Sequence, residues 1–389
     1  MRALYLDLSH RMATDLDLVI LGAGPAGCAT ALAAIAAGVE RVAILDSPAR
    51  QAFRIGESAA PDVVAKLRLL GISDDLEARG HRPYYTNLSL WAGERRFDDF
   101  LHRSTGNGWH LDRERFDEDL RQASCERGAQ LLTPAVLESL RWDRGEWQLQ
   151  ITYQGKPHLL SCRYLVDASG RRASLCRRLE IERKRLDDLV AVACKWPNAG
   201  KLEGITLVES VADGWWYATR LPDGSALLAL MSDAAVVRRK RLRNPETFYA
   251  LWAQTEELQQ WLQPPRHALS LTCFAAYSGF VTQAAGPGWI AVGDALAAFD
   301  PLTSSGISNA LGDGLAAAPV ITDWLHNNGL QAAERYALRA NRGINRFLRE
   351  WQGQYNLERR WPDHPFWAHR RGVMPPVFTS PRLSALSPP

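Results

Sequence analysis

The sequence has few cysteines and no long apolar run, and these absences exclude several classes of protein. Its 389 residues include six cysteines and nine histidines, with no CxxC pair and no regular spacing. Neither a disulfide framework nor a metal site is therefore predicted, and we expect reduced thiols. No apolar stretch approaches the roughly 18 to 20 residues of a membrane span, and the N-terminus lacks the order of a signal peptide. The sequence predicts a cytoplasmic protein.

The chain also lacks a strong charge of either sign. The formal net charge is +3 and the arginines are scattered, so general nucleic-acid binding is not expected. The densest basic run, residues 238–243, is interpreted as a solvated helix face, with docking of an acidic partner as the alternative. Apolar residues make up 46% and charged residues 23%, which is typical of globular proteins. At this length the chain has room for two or three domains and a large cofactor.

A glycine-rich segment near the start has the form of a nucleotide-binding loop. The apolar run of residues 17–21 enters Gly22, Gly24 and Gly27, and a stretch with helical period follows over residues 28–37. In such a unit the glycines let the backbone approach a pyrophosphate at the helix N-terminus. Asp46 ends the next strand, 19 residues after Gly27, where a carboxylate can bind the ribose hydroxyls of an adenosine. The segment predicts bound FAD or NAD.

A second signature, near the other end of the chain, distinguishes FAD from NAD. The apolar strand of residues 289–292 leads to Gly293 and Asp294, and the chain continues through a turn over residues 301–307. A carboxylate in this place can hold a ribityl hydroxyl, and the next helix N-terminus can offer backbone donors to the reduced flavin ring. A plain NAD dehydrogenase does not need this segment, so the two signatures together predict FAD.

These motifs resemble the flavoprotein monooxygenases of the hydroxybenzoate-hydroxylase fold, and within them the branch of the tryptophan halogenases. The resemblance covers residues 17–325 and includes three further motifs, Gly56-Glu57-Ser58, Arg113-x-x-Phe116-Asp117 and Asp167-x-Ser169-Gly170. It implies an α/β fold in which a Rossmann-type FAD-binding domain, similar to that of glutathione reductase, carries an inserted mixed β-sheet substrate domain and a C-terminal helical and irregular tail. The resemblance places the following residues around FAD: Gly22, Gly24, Pro25, Ala26, Gly27, Asp46, Ser47, Arg54, Arg113, Val136, Gly170, Gly293, Asp294, Pro301, Ser305, Gly306 and Ile307.

The resemblance also implies where catalysis takes place. It places Glu57 and Pro301 close to the isoalloxazine ring, with Ser305, His81 and Tyr84 as further candidates for catalytic residues. A carboxylate near the flavin can position a substrate or assist proton transfer. Glu57 is therefore the first candidate for an acid or base.

Three adjacent aromatic residues, Trp215, Trp216 and Tyr217, are the candidates for substrate contacts. Adjacent side chains of a strand point to opposite faces of its sheet. We expect one face of this strand to lie in a core and the other to approach the flavin.

Two departures from the family pattern narrow the expected chemistry. Single-component hydroxylases have an Asp-Gly pair where this chain reads Ser169-Gly170, and the form found here resembles the halogenase branch, whose members receive reduced flavin from a separate reductase. Halogenation in the family depends on a lysine after the Gly-Glu-Ser segment, and residues 81–88 contain none. We therefore expect hydroxylation through a flavin C4a-hydroperoxide, with a separate NAD(P)H-flavin reductase as a partner.

The expected substrate is an electron-rich ring, either indole, tryptophan or phenol. The chain is similar in length and in its Gly-Trp-Trp-Tyr segment to flavoproteins that modify tryptophan in partner polypeptides during quinone-cofactor biogenesis, so the ring is a candidate for a peptide-bound one. Three alternatives stay open, namely a flavin-dependent halogenase, a prenyl reductase on the same fold, and a maturation partner that binds flavin without turnover.

The order of predicted elements divides the chain into alternating stretches. FAD-binding residues are expected at 15–80, 101–184 and 283–345, substrate-domain residues at 81–100 and 185–282, and a C-terminal helix with a tail rich in proline and aromatic residues at 346–389. Helices are predicted over residues 113–126 and 245–262, and the tail after Trp361 is expected to wrap the surface rather than build a core. Residues 1–11 are expected to take no part in the fold.

Overall fold

The computed structural model describes residues 14–47, 55–100, 106–265 and 269–371. The strands, numbered in chain order, are β1 Thr14–Leu21, β2 Val42–Leu45, β3 Ser58–Ala59, β4 Arg82–Tyr84, β5 Thr86–Trp91, β6 Glu94–Asp99, β7 Gly108–His110, β8 Gln130–Leu132, β9 Ala135–Asp143, β10 Glu146–Tyr153, β11 Lys156–Asp167, β12 Arg183–Arg185, β13 Leu189–Trp196, β14 Ile205–Val211, β15 Gly214–Arg220, β16 Ala226–Asp233, β17 Thr272–Ala275, β18 Gly279–Val281, β19 Ala285–Gly286, β20 Trp289–Ala291 and β21 Ala297–Ala298. The α-helices are α1 Pro25–Ala36, α2 Val63–Leu69, α3 Arg113–Glu126, α4 Ser174–Arg178, α5 Ala234–Arg239, α6 Pro245–Trp252, α7 Leu258–Trp261, α8 Gly306–Asn327, α9 Gln331–Leu357 and α10 Pro365–Ala368.

The first sheet is mostly parallel and has the strand order β19-β20-β11-β1-β2-β8, with β10 and β9 continuing antiparallel from β11. Helix α1 connects the parallel neighbours β1 and β2, which is the crossover unit that the glycine-rich segment predicts. In the register of the parallel strands, Leu21 pairs with Asp167 and Asp167 pairs with Ala291. The loops after β1, β11 and β20 therefore leave the same edge of the sheet, which is where open α/β sheets bind ligands.

The second sheet is mixed and has the strand order β17-β13-β16-β15-β14-β5-β6. All its neighbours pair antiparallel except β14 and β5. Alternation along β15 sends Trp215 and Tyr217 to one face and Trp216 to the other. The first face packs against α9, and the second packs against α6 through Phe248, so each face has its own apolar core.

A small sheet with the order β3-β7-β4 lies next to the second sheet. Its register pairs Ser58 with His110, and both side chains hydrogen-bond to hydroxyls of the second sheet, including that of Thr206. These hydrogen bonds connect the segment that carries Glu57 to β14 and β15, which follow it by more than a hundred residues in sequence.

The structure corrects two predictions about secondary structure and packing. Residues 245–262 form two helices, α6 and α7, rather than one. The expectation that the tail after Trp361 wraps the surface was wrong for its described part, because Phe366 and Trp367 are fully buried. The Trp367 indole N–H donates to the Val211 carbonyl at 3.0 Å, and Arg370 forms two hydrogen bonds with Asp233. Aromatic burial and a buried ion pair thus anchor this segment. Residues 372–389 and 1–11 lie outside the described residues.

No helix within the described ranges is both long enough and apolar enough to cross a membrane.

Candidate active site

The loop after β1 is shaped for close backbone approach. Gly22 has a φ of +110°, and a Cβ atom added at Gly27 would lie 1.9 Å from the Gly22 carbonyl oxygen. Helix α1 begins directly afterwards, and its N-cap, Gly24, provides no side-chain cap. The first backbone N–H groups of α1 are therefore available to an anion, and the positive end of the helix dipole favours one. The Ala23 N–H is held by Asp46 Oδ1 at 3.2 Å, which fixes the loop against the end of β2.

The loop after β20 meets the first loop from the other side. Gly293 has a φ of +57°, and a Cβ atom added there would lie 2.7 Å from the Cβ atom of Ala26. Its N–H donates to the partly buried Asp313 at 3.1 Å, and Arg339 donates to the same carboxylate at 3.0 Å. Burial raises the pKa of Asp313. Helix α8 then begins at Gly306, so a second helix N-terminus opens beside that of α1.

A cavity of about 310 Å³ lies between these two loops and the second sheet. This volume is within the range of small-molecule sites in proteins. The predicted site residues that line it are Gly24, Pro25, Ala26, Glu57, Arg113, Gly170, Tyr217, Asp294, Pro301, Ser305, Gly306 and Ile307. Motifs separated by most of the chain are therefore brought to one place.

Other predicted cofactor residues lie behind or beside this cavity. A Cβ atom added at Gly22, Gly27 or Gly293 would lie within 2.7 Å of a neighbouring atom, so these glycines allow the backbone segments of the two loops to pack closely. Asp46 and Ser47 follow β2, and the Ala135 N–H donates to the Asp46 carbonyl at 2.8 Å, so Val136, which is 44% exposed, lies next to the end of β2. Arg54 lies outside the described residues.

Arg113 forms one wall of the cavity. One of its terminal nitrogens donates to the Ile55 carbonyl at 2.7 Å, and the other contacts the Asp117 carboxylate at 3.2 Å. The Nε atom of Arg113 is buried without a hydrogen-bond partner among the described residues. An unpaired buried donor beside two open helix N-termini fits the diphosphate or ribityl oxygens of a flavin nucleotide.

Glu57 is the acidic group at the inner part of the cavity. Its side chain is buried, and its Oε2 atom accepts a hydrogen bond from the Gly56 N–H at 2.9 Å. Burial raises the pKa of Glu57 to about 7, and the nearby Arg113 opposes this effect. The carboxyl group can therefore both give and take a proton near neutral pH, as an acid or base catalyst requires.

The wall opposite the two loops is apolar and comes from the second sheet. Leu227, Ala229 and Met231 of β16 line it, together with Phe299, which directly follows β21. Tyr217 adds a hydroxyl to this wall, and its oxygen lies 2.6 Å from the Oγ atom of Ser58, which also lines the cavity. Such a surface suits a flat aromatic ring with a few polar contacts.

Trp215 and Trp216, the neighbours of Tyr217, do not line the cavity. The Trp215 indole N–H donates to the Tyr355 hydroxyl at 2.9 Å, deep in the core on one face of the sheet. Trp216 packs edge-on against Phe248 on the other face, with ring centroids 4.9 Å apart. Of the three predicted substrate residues, the structure therefore brings only Tyr217 to the cavity.

His81 and Tyr84 do not line the cavity either. The Nδ1 atom of His81 accepts a hydrogen bond from the Asp112 N–H at 3.1 Å, so this histidine caps the turn before α3. Burial lowers the pKa of His81 and raises that of Tyr84. Tyr84 stacks on His110 with ring centroids 4.4 Å apart. His81 therefore packs at the start of α3 and Tyr84 packs against β7, and neither contacts the cavity.

Asp300 lines the cavity and was not predicted. Its carboxylate accepts hydrogen bonds from the Leu302 N–H at 3.0 Å, the Trp351 indole at 3.1 Å and the Tyr355 hydroxyl at 2.7 Å. The last two partners belong to α9, so no local pattern around Asp300 could have indicated this network. It joins the turn at Pro301 to the C-terminal helix.

The Asp-x-Ser-Gly motif has a structural role in this chain. Asp167 accepts hydrogen bonds from the N–H and hydroxyl of Ser169 and from the first N–H groups of α4, those of Leu175 and Cys176. The Ser169 hydroxyl in turn accepts from the Ser174 N–H at 2.7 Å. The serine therefore closes a turn inside the protein.

Comparison with known proteins agrees with this fold and with an FAD-dependent enzyme. A family model described as tryptophan halogenase matches residues 92–382. The chain is 29% identical over 360 residues to the putative FAD-dependent oxidoreductase LodB of Marinomonas mediterranea, covering 91% of this chain and 96% of that protein. The solved structure of the peptidyl tryptophan dihydroxylase QhpG, essential for tryptophylquinone cofactor biogenesis, aligns with a TM-score of 0.75 and 27% identity over 92% of this chain and 79% of that one. The myxobacterial chondrochloren halogenase CndH aligns with a TM-score of 0.83 and 22% identity over 92% and 86% of the two chains.

The chain belongs to the tryptophan halogenase family. Its relatives are FAD-dependent oxidoreductases, halogenases and a dihydroxylase, and it is an enzyme of the flavin oxidoreductase type with FAD as its cofactor. The predictions of an α/β fold with a Rossmann-type FAD-binding sheet, and of FAD itself, are thereby confirmed.

Proposed function

We propose that this enzyme is a monooxygenase that hydroxylates an electron-rich aromatic ring, and that the ring is the indole of a tryptophan within a partner polypeptide. The first sheet with its two loops would hold FAD, and the second sheet would present the ring. The observation that carries the proposal is the meeting of Glu57 and Tyr217 with the apolar wall of β16 in one cavity beside the loop of residues 294–307.

Reduced FAD, when bound, supplies two electrons and activates dioxygen, so that one oxygen atom enters the ring and the other leaves as water. The residues of the protein would hold the ring, exclude water and accept a proton. The apolar wall excludes water and holds the ring flat, as Leu227 and Met231 are placed to do. Glu57 takes the proton that leaves the ring as the oxygen is added, and the turn at Pro301 and Ser305 shapes the floor of the cavity.

The lack of a lysine among the described residues that line the cavity favours oxygenation over halogenation. Halogenases of this family use a lysine to capture the oxidised halide, and the described residues that line the cavity include no lysine. The arginines there are engaged, since Arg113 contacts Asp117 and Arg171 contacts Asp294 at 3.5 Å and the Phe299 carbonyl at 3.1 Å. The described residues that line the cavity therefore offer no side-chain amine that could capture an oxidised halide.

The chemistry of the apolar wall supports a ring that arrives as part of a polypeptide. Free tryptophan carries an ammonium and a carboxylate group, and each would need a polar partner if buried. On this wall the side chains of Leu227, Ala229, Met231 and Phe299 offer none, and we assign the polar side chains elsewhere in the cavity, such as Glu57 and Arg113, to proton transfer and to FAD. A peptide-bound indole avoids this cost because its polar main chain can stay outside. QhpG, which acts on a peptidyl tryptophan, is consistent with such a substrate.

We further propose that a separate reductase supplies the reduced flavin. The Ser169 hydroxyl is engaged in a turn with Asp167 and Ser174, so this hydroxyl is not free to bind a nicotinamide nucleotide. The purified enzyme should oxidise NADH or NADPH slowly by itself and form product once a flavin reductase is added. Equal rates of NADH oxidation with and without the reductase would contradict a two-component system.

The test of the proposed function is product analysis by mass spectrometry. FAD-loaded enzyme, a flavin reductase, NADH and isotopically labelled dioxygen are incubated with peptides that contain tryptophan, tyrosine or neither. We expect labelled oxygen on the tryptophan side chain, in amounts that do not depend on chloride or bromide. Release of hydrogen peroxide equal to the NADH consumed, without a modified peptide, would refute the proposal.

The same experiment distinguishes the other functions. Halide-dependent incorporation of chlorine or bromine would indicate a halogenase. Reduction of a prenyl chain without oxygen would indicate a reductase. Stable binding of a partner polypeptide without any turnover would indicate a maturation partner.

A further inference from the structure

A group of buried polar side chains lies next to Tyr217, and one of them, Ser58, also lines the cavity. Ser58 and His110 come from paired positions of the small sheet, and Thr206 and Thr219 come from paired positions of β14 and β15. All four side chains are buried. Buried hydroxyls and an imidazole are costly unless each finds a partner, so their arrangement is expected to be specific.

These side chains form a continuous chain of hydrogen bonds that ends at the cavity. The Tyr217 hydroxyl lies 2.6 Å from Ser58 Oγ, which lies 3.2 Å from Thr206 Oγ1. Thr206 Oγ1 lies 2.9 Å from His110 Nε2, and that nitrogen is also 2.6 Å from Thr219 Oγ1. One end of the chain is therefore the neutral imidazole of His110, whose pKa burial lowers to about 3, and the other end is a wall of the cavity.

The direction of this chain decides what Tyr217 can offer to a ligand. A phenol is a stronger acid than an aliphatic hydroxyl, so Tyr217 donates to Ser58. Ser58 then donates to Thr206, and the single lone pair of His110 Nε2 accepts from both Thr206 and Thr219, at 2.9 and 2.6 Å. In the opposite direction His110 Nε2 would carry the proton and each hydroxyl would donate toward Tyr217, so that the weaker acid, Ser58, would donate to the stronger one. The favoured direction leaves lone pairs of the Tyr217 oxygen facing the cavity.

We propose that His110 is a positioning residue which, through Thr206 and Ser58, holds the Tyr217 hydroxyl as a hydrogen-bond acceptor for the substrate ring. The site then selects rings that carry a donor, an indole N–H or a phenol O–H, over the same rings with that hydrogen replaced by methyl. This inference rests on the proposed function for its substrate class, but it concerns binding and not turnover.

The test is a set of binding measurements on the FAD-loaded, oxidised enzyme. Indole is compared with 1-methylindole, and phenol with anisole, by titration calorimetry. We expect the donor in each pair to bind about tenfold more tightly, the value of one hydrogen bond of ordinary strength. Tyr217→Phe should reduce each preference to about twofold or less. Thr206→Val removes the hydroxyl that links Ser58 to His110 and keeps the shape of the side chain. It should also weaken the preference for rings that carry a donor.

The control is Thr255→Val, the same change at a buried threonine whose hydroxyl donates to the Trp252 carbonyl, away from the cavity lining. It should keep the full preference for donors. A second readout is nitrogen NMR of labelled histidine, with His110 assigned by its loss in His110→Gln. The Nε2 atom of His110 should resonate as an unprotonated nitrogen.

Each result bears on the inference separately from the proposed function. Equal binding of donor and methylated rings, a preference that survives Tyr217→Phe, or a protonated Nε2 would overturn the inference. Failure of all four rings to bind would overturn the inference, whereas the proposed function would still be decided by product analysis with tryptophan peptides. A donor preference with the expected response to the variants, but no oxygenated product from any peptide, would uphold this inference and refute only the proposed function.

Discussion

The two halves of the cavity are built from different materials. On the nucleotide side the surface is backbone, held close by glycines such as Gly22, Gly27 and Gly293, and by two helix N-termini. On the sheet side the surface consists of side chains, such as Met231 and Tyr217, that hydrogen bonds or packing hold from behind. A single added atom on the nucleotide side should therefore abolish FAD binding, whereas changes on the sheet side should alter which substrate ring is accepted.

The largest effect is expected on the nucleotide side, from Gly27→Ala. The new Cβ atom would lie 1.9 Å from the Gly22 carbonyl oxygen, and backbone cannot move aside cheaply. We expect the dissociation constant for FAD to rise at least about 100-fold, equivalent to about 2.7 kcal/mol, and the protein to purify without colour. The free energy of unfolding should fall by about 1 to 3 kcal/mol. Flavin absorbance and denaturant titration measure the two quantities.

Gly24→Ala is the matched control, since an added Cβ atom there meets no atom within 4 Å. It should leave the stability of the apoprotein unchanged while weakening FAD binding, because the open space is where a diphosphate approaches α1. Wild-type FAD affinity in Gly27→Ala would contradict the backbone account of this half.

The next largest effect is expected from Glu57→Gln. The amide keeps the shape and can still contact the Gly56 N–H in one orientation, but it cannot take a proton. We expect kcat for ring oxygenation to fall about 100-fold or more, with more hydrogen peroxide released per NADH and with FAD affinity kept. Single-turnover kinetics with a tryptophan peptide measure this. A variant as fast as the wild type would show that Glu57 is not the base.

A smaller effect is expected from paired changes on the two faces of the second sheet. Met231→Ala enlarges the cavity and should shift the preference toward a tryptophan with an extra methyl group on its ring by about tenfold in kcat/KM. Trp216→Phe removes volume from the opposite face, where Phe248 packs. It should cost about 1 to 3 kcal/mol of stability and leave the preference unchanged. A changed preference in Trp216→Phe would mean that the two faces are not independent.

The last prediction concerns the pH dependence of stability. The folded-state pKa of Glu57 is raised from 4.5 to about 7, so protonation favours the folded state. The stabilisation from this group is fully present below about pH 4.5 and is lost as the pH rises through about 7. Relative to the wild type, the Glu57→Gln apoprotein should therefore gain stability over this range, by at most about 3 kcal/mol. Thermal unfolding at several pH values checks the sign, and a constant difference would contradict it.

The nucleotide side of the cavity could be predicted from the sequence, whereas most of the sheet side could not. The nucleotide half depends on local patterns, in which a strand, a glycine loop and a helix are contiguous. Helix α3, Arg113–Glu126, therefore has the bounds that its periodicity predicts, and the predicted residues Glu57, Arg113 and Asp294 do line the cavity. The sheet half depends on contacts between distant residues, such as Ser58 and Tyr217, which are 159 positions apart. No pattern near either residue indicates such a contact.

The residues that sequence reasoning misplaced have the same explanation. His81 and Tyr84 follow the Gly-Glu-Ser segment as in the family, but in this chain they pack behind β7. Trp216 belongs to a core because strand alternation turns it away from Tyr217. The tail contributes Phe366 and Trp367 to a core because aromatic burial outweighs the tendency of proline-rich sequence to stay on the surface.

The most direct test of the central claim, that the substrate ring and the flavin meet in this one cavity, is a titration of the oxidised FAD-loaded enzyme with a tryptophan-containing peptide, followed by flavin absorbance. The account predicts a saturable change in the flavin band with the same dissociation constant that calorimetry gives, and loss of that change with a peptide in which alanine replaces the tryptophan. Binding of the tryptophan peptide by calorimetry without any change in the flavin spectrum would contradict the account.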